Sequence, residues 1–202
     1  MYWVYQKRIY YWRNQCVQAK LVQPQPKTLR EQYGALGFRD PMQDELYGVN
    51  LALTYQVNPK HPHPDNYFES AGFTLFSKRL VDLVQSFEVK AEVLPVAVVD
   101  KEGRAQSDLE YFVFHSLEGV LEAMDEEKSG WTGDHDTGIP RLVLDYASFE
   151  HRPIFLCNHI YVPLMRNDLK QAIEREQITG FGFLKAERYH SGSYGFPPDF
   201  DD

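Results

Sequence analysis

Two stretches of the chain, 73–96 and 162–185, carry the same succession of hydrophobic and polar positions and register on each other without a gap. Leu80 falls on Leu169, Val84 on Ile173, Val89 on Ile178 and Leu94 on Phe183. Each stretch opens with a short apolar run, Phe73-Thr74-Leu75-Phe76 or Ile160-Tyr161-Val162-Pro163-Leu164, which suits a brief buried strand. Ser77 or Asn167 follows, and either side chain can accept a bond from an otherwise unpaired N–H at a helix start. Leu80, Leu83, Val84 and Phe87, or Leu169, Ala172 and Ile173, then recur at the spacing that lines one helical face. A second apolar run closes each unit, Val93-Leu94-Pro95-Val96-Ala97-Val98-Val99 or Phe181-Gly182-Phe183-Leu184. The pattern predicts strand, helix and strand twice, in units 73–99 and 160–187 that share one sheet.

Outside the units the pattern is less regular. Strands are expected near 2–5 and 9–12, and Gln23-Pro24-Gln25-Pro26 then interrupts regular structure because two prolines remove donors and fix φ. A short helix over 28–36, ended by Gly37, and a strand over 46–57 follow, with a proline-rich loop over 58–65. Asp100-Lys101-Glu102-Gly103 reads as a turn that makes 93–99 and 111–114 neighbours. Leu117, Val120, Leu121 and Met124 give 117–124 a helical stripe, residues 128–140 read as a polar loop, and Leu142-Val143-Leu144 restarts a strand. The segment 190–202, with Gly192, Gly195, Pro197 and Pro198, is expected to be a mobile tail. The fold class is mixed α/β (α+β), a single domain over 1–202 with its sheet built around the two units.

Composition narrows the function. The chain has 202 residues, enough for one substantial core, and 43% hydrophobic with 14% aromatic residues is globular, not disordered. Its apolar runs are too short for a membrane span, and Met1-Tyr2-Trp3-Val4-Tyr5-Gln6-Lys7-Arg8 lacks the basic-then-apolar order of a secretory signal. A cytoplasmic protein with no membrane partner is expected, its cysteines Cys16 and Cys157 kept as thiols. A net charge of -8 argues against nucleic acid as a ligand and in favour of a basic protein partner.

Three blocks resemble a known family. Phe76-Ser77-Lys78-Arg79-Leu80 goes with Val93-Leu94-Pro95-Val96; Tyr111-Phe112-Val113-Phe114 with Ala123-Met124-Asp125-Glu126-Glu127-Lys128-Ser129; and Leu142-Val143-Leu144-Asp145 with Ile178-Thr179-Gly180-Phe181. In order and spacing they resemble immunity protein family eleven of the bacterial polymorphic-toxin systems, over roughly residues 70–187. The second strand-to-helix joint departs from the family's Ser-Glu-Arg type of opening and reads Pro163-Leu164-Met165-Arg166-Asn167-Asp168. The resemblance implies a binding protein, not an enzyme, that neutralises a toxin encoded beside it.

The residues themselves place the binding surface. Acidic positions gather at Glu118, Glu122, Asp125, Glu126, Glu127, Asp134 and Asp136, and Trp131 lies among them. Asp125, Glu126, Trp131, Asp134 and Asp136 are therefore expected to form an acidic surface with one aromatic anchor. Its partner would be the basic C-terminal toxin domain of a secreted effector, with acidity favouring a nuclease. An alternative is a small metal-dependent hydrolase using His61, His63, Asp134, His135 and Asp136, with Asp65 nearby. These side chains lack the ligand spacing of a known metal class, so no metal or other cofactor is expected. A third reading is an adaptor that binds an effector without inhibiting it. Cys157 with His159 and His151 lies in an apolar run that suits a buried thiol better than a nucleophile.

Overall fold

The computed structural model describes residues 1–7, 10–12, 15–22, 53–67, 74–134, 138–147, 149, 152–160 and 162–190. The helix expected over 28–36, most of the strand over 46–57, and the tail over 191–202 lie outside the described residues. The described chain is mixed α+β. Its strands are β1 (Tyr2–Lys7), β2 (Tyr10–Trp12), β3 (Gln15–Val17), β4 (Lys20–Leu21), β5 (Thr54–Gln56), β6 (Asn66–Tyr67) and β7 (Leu75–Ser77). After helix α1 (Lys78–Gln85) come β8 (Ala91–Val99), β9 (Tyr111–Ser116), β10 (Val120–Leu121) and the single turn α2 (Glu126–Ser129). β11 (Ile154–Cys157), β12 (Val162–Arg166), helix α3 (Asn167–Arg175) and β13 (Phe181–Lys185) complete the order. Among the described residues no helix is long and apolar enough to cross a membrane.

The two units lie in different sheets, whereas the sequence pattern predicts one shared sheet. A six-stranded sheet runs β4-β5-β8-β9-β7-β6 and a five-stranded sheet runs β10-β11-β12-β1-β13. In the first, β7 and β8 lie on either side of β9, antiparallel to it. In the second, β12 and β13 lie on either side of β1 in the same way. Each helix thus connects two strands of one sheet that are separated by a third, supplied from another part of the chain. The physical reason for two sheets is that β9 and β1 each have only two edges, and the units occupy both edges of their own partner strand.

The sheets are joined through the helices. Leu80, Val81 and Val84 on α1, Leu169 and Ile173 on α3, and Phe76, Phe114, Met165, Phe181 and Phe183 on the strands form one buried cluster. The stripes read from the sequence are the buried faces, because residues three and four apart stack on one side of a helix. A second cluster, with Tyr2, Leu142, Phe155, Cys157 and Leu164, lies against the five-stranded sheet. A third, with Tyr55, Tyr67, Leu75, Tyr111 and Val113, lies against the six-stranded sheet.

Polar groups fix the seam between the units. The Asp65 carboxylate, almost fully buried, accepts bonds from Ser77 Oγ (2.6 Å), Arg79 Nε (2.7 Å), Arg79 Nη2 (2.8 Å), Thr179 N (2.8 Å) and Thr179 Oγ1 (2.9 Å). Burial alone would raise its pKa, but these donors outweigh that cost and hold it down at about 2. Beside it the Asn66 N–H donates to the Thr179 carbonyl at 3.0 Å. Gly180, at φ +95°, packs so closely on this backbone that a Cβ there would meet the Asn66 oxygen at 2.3 Å.

Three local expectations are corrected. Residues 117–124 contain no helix: Gly119 has φ +99°, and β10 pairs in parallel with β11. Residues 142–144 form no regular strand, contributing only an isolated bridge from Leu144 to Met124. Asn167 is not the cap of α3, whose N-cap is Arg166 without a side-chain bond. Its Oδ1 instead accepts a bond from Trp3 Nε1 at 2.9 Å, so the side chain is committed to β1. Ser77 does cap α1, accepting from Leu80 N.

Candidate functional site

The acidic segment expected to bind a partner folds as a tight corner over the core of the five-stranded sheet. The Asp125 side chain accepts from the Lys128 N–H at 3.0 Å and so caps α2, while its own N–H donates to Val143 O at 2.9 Å. Its other carboxylate oxygen takes a bond from Lys128 Nζ at 2.6 Å, and this neighbour holds the carboxyl below its usual pKa. Ser129 is fully buried, and its hydroxyl exchanges bonds with the Val143 backbone at 2.9 and 3.2 Å. Gly130 ends the turn in the left-handed conformation at φ +69°, where a Cβ would press on the Pro140 ring at 2.9 Å. The next N–H, that of Trp131, donates back to Glu126 O at 2.9 Å.

These constraints aim three side chains at one point. The Trp131 indole is half-buried against the core and stacks on the His159 ring, with centroids 5.4 Å apart and planes at 25°. His159 Nε2 lies 2.7 Å from Glu126 Oε1. His159 itself sits in the left-handed region at φ +60°, just after Asn158, whose Oδ1 accepts from Ala123 N at 3.1 Å and Met124 N at 3.2 Å. Asn158 therefore ties the end of β11 to the segment that carries the acids, and His159 follows into place.

Of the five residues expected to bind a partner, Glu126 and Trp131 are brought together on this surface and Asp134 is exposed farther along the same loop. Asp125 is a helix cap paired with Lys128, and Asp136 lies outside the described residues. Glu118 does not belong to the acidic patch: it is buried, accepting from Lys90 N at 2.6 Å and pairing with Arg152 at 3.4 Å. His159 was missed as a member of the site. Its proximity to Glu126 is a tertiary fact, and no local spacing announces it.

The candidate catalytic groups are dispersed. His61 Nε2 lies 3.2 Å from Asn58 Nδ2, and His63 Nδ1 lies 3.3 Å from Tyr67 Oη in a site whose burial lowers the imidazole pKa. Asp65 is turned into the seam, and His135 lies outside the described residues. Among the described residues no three His, Cys, Asp or Glu side chains are grouped so as to hold a metal ion. The Cys157 thiol is buried, its pKa pushed up to about 12 by desolvation, so its thiolate is scarce near neutrality.

No curated protein shows a significant match to the chain. The model of the immunity protein family (Imm11) matches residues 8–188, reaching well into the N-terminal third where the sequence blocks had shown no resemblance. β1 (Tyr2–Lys7), the strand between β12 and β13, lies just ahead of the matched residues. With the match running over most of its length, the chain belongs to the immunity protein family (Imm11).

Proposed function

We propose that this protein neutralises a cognate bacterial toxin by binding its toxic domain directly and covering the active site or substrate groove, without catalysis of its own. Family membership supports the toxin-immunity role. The observation that carries the choice of surface is Trp131, an indole held flat on His159 at the edge of an acidic rim. A tryptophan held in this way offers a large contact area whose rotamer is already fixed, so little entropy is lost on binding. Glu126 shares the His159 contact with it, and together with Asp134 and Asp136, which follow in the sequence, it would attract a basic partner and speed the encounter. Asp125 serves the surface indirectly, by capping the turn that carries Glu126. The partner on this reading is a basic toxin domain, and a nuclease is the class whose substrate charge these carboxylates imitate.

Charge reversal tests the surface. Asp134→Lys with Asp136→Lys is expected to weaken binding to the cognate toxin domain about a hundredfold by calorimetry, to lose rescue in a co-expression toxicity assay, and to leave Tm unchanged. Undiminished affinity in a folded variant moves the interface elsewhere. A tight complex that leaves the toxin fully active makes the protein an adaptor.

A further inference from the structure

Although the chain is acidic overall, one cleft on the six-stranded sheet is strongly basic. It has a volume of about 630 Å³ and lies where β4, the loop after β5 and the turn between β8 and β9 converge. Lys20, Lys60, Lys101 and Arg104 line it, and among the described lining residues Glu102 alone carries a carboxylate. The walls are braced from within. Asn58 Oδ1 accepts from Lys60 N at 3.0 Å, and the buried Asp100 carboxylate gathers the turn by accepting from Glu102 N at 2.9 Å and Arg104 N at 3.0 Å.

The four cations are not equally engaged. Arg104 is held by Asp100 at 2.7 Å and by Glu102 at 3.1 Å, so its charge is largely compensated while its position is fixed. Lys101 has only a long contact with Glu102, at 3.5 Å. Lys20 and Lys60 make no ion pair among the described residues. Uncompensated ammonium groups around one concave volume raise its potential and favour an ion that carries several negative charges in a small space.

We infer that this cleft binds a compact, multiply charged phosphate anion of the di- or triphosphate kind. Its volume falls within the roughly 300–1,000 Å³ of small-molecule sites. Among its described lining residues only Val57 and Pro59 have apolar side chains, and the others present charged or amide groups and one imidazole. Ammonium groups on flexible stems donate to phosphate oxygens from several directions, while the amides of Gln18 and Gln56 add neutral donors. The site stands apart from the Trp131 surface and does not depend on the toxin-binding reading.

Titration of the full chain with inorganic triphosphate by calorimetry tests this at low salt, with ATP as a second probe. One saturable site is expected for triphosphate. Lys20→Gln with Lys60→Gln weakens it at least tenfold with Tm unchanged, and Lys78→Gln, which removes a lysine of α1 outside the cleft, leaves it intact. ATP of equal affinity shows that only phosphate is read, and tighter ATP adds a nucleoside contact; both retain the site. No saturable binding, or equal weakening by the cleft and control variants, overturns it.

Discussion

The first and second strand-helix-strand segments share a plan but are joined to the protein by different means. Leu80 and Leu169 are both fully buried at matching positions of their helices, and Val84 and Ile173 are each 1% exposed. The joints ahead of the helices diverge. The first is closed by Ser77, which caps α1 and donates to Asp65, whereas the second has no side-chain cap and gives Asn167 to Trp3. The closing strands diverge too. Val93 faces the shared cluster from β8 and Leu94 faces the third cluster, while on β13 it is Phe181 and Phe183 that face the shared cluster. The gapless register therefore holds along the helices and slips by one residue at the last strand, where a one-residue shift exchanges the two faces. A helix face is dictated by its own apolar spacing; a joint is dictated by what the rest of the chain brings to it.

Truncating the matched leucines probes the common part and should have the largest effect. Leu80→Ala and Leu169→Ala are each expected to cost about 3 kcal/mol in urea unfolding, since each leaves a cavity in the same cluster. A gap between them wider than about 1 kcal/mol would break the equivalence of the two helices. The first joint comes next. Asp65→Asn keeps the shape but loses the charge that Arg79, Ser77 and Thr179 satisfy, and should cost about 2 kcal/mol near neutral pH. Because the folded pKa, about 2, lies below the unfolded value near 3.8, this contribution is complete above about pH 4 and is lost as pH falls through 2. The variant should show no such component when its stability is compared with the parent's between pH 5 and pH 2.

The smallest effect should separate two lysines, one on each helix. Lys78 forms a solvated pair with Asp82, and Lys78→Ala should cost about 0.3 kcal/mol. Lys170 is largely covered, pairs with Glu174 and sits 4.2 Å above the Trp3 ring, so Lys170→Ala should cost about 1 kcal/mol. Equal values for the two would mean that the Trp3 contact adds nothing to the second joint.

What could be read from the sequence follows the same division. The two helical stripes, the Ser77 cap and the turn at Asp100, where Gly103 takes φ +80°, are local and were legible. The stripe of Leu117, Val120, Leu121 and Met124 misled because parallel pairing of β10 with β11 and the burial of Glu118 on Arg152 outweigh a weak helical preference; Gly119 was the available warning. At the candidate site the aromatic and acidic character was readable, but not the division of labour. A capping aspartate and a solvated one look alike in a string of acids, and only the Asp125-to-Lys128 spacing distinguishes them. His159 and the basic cleft depend on residues from distant segments and carry no signal within any one of them.

The place of β1 sets an order on synthesis. It leaves the ribosome well before its two neighbours, β12 and β13, which end only at Arg166 and Lys185. β9, by contrast, can pair with β7 and β8 as soon as Ser116 has emerged. The six-stranded sheet can therefore assemble on the nascent chain while Tyr2, Val4 and Tyr5, all buried in the finished protein, still lack a sheet to enter. Until β12 and β13 have emerged those side chains stay exposed to chaperones and to aggregation, and slowing synthesis of residues 162–185, or deleting them, should strand β1 in that state.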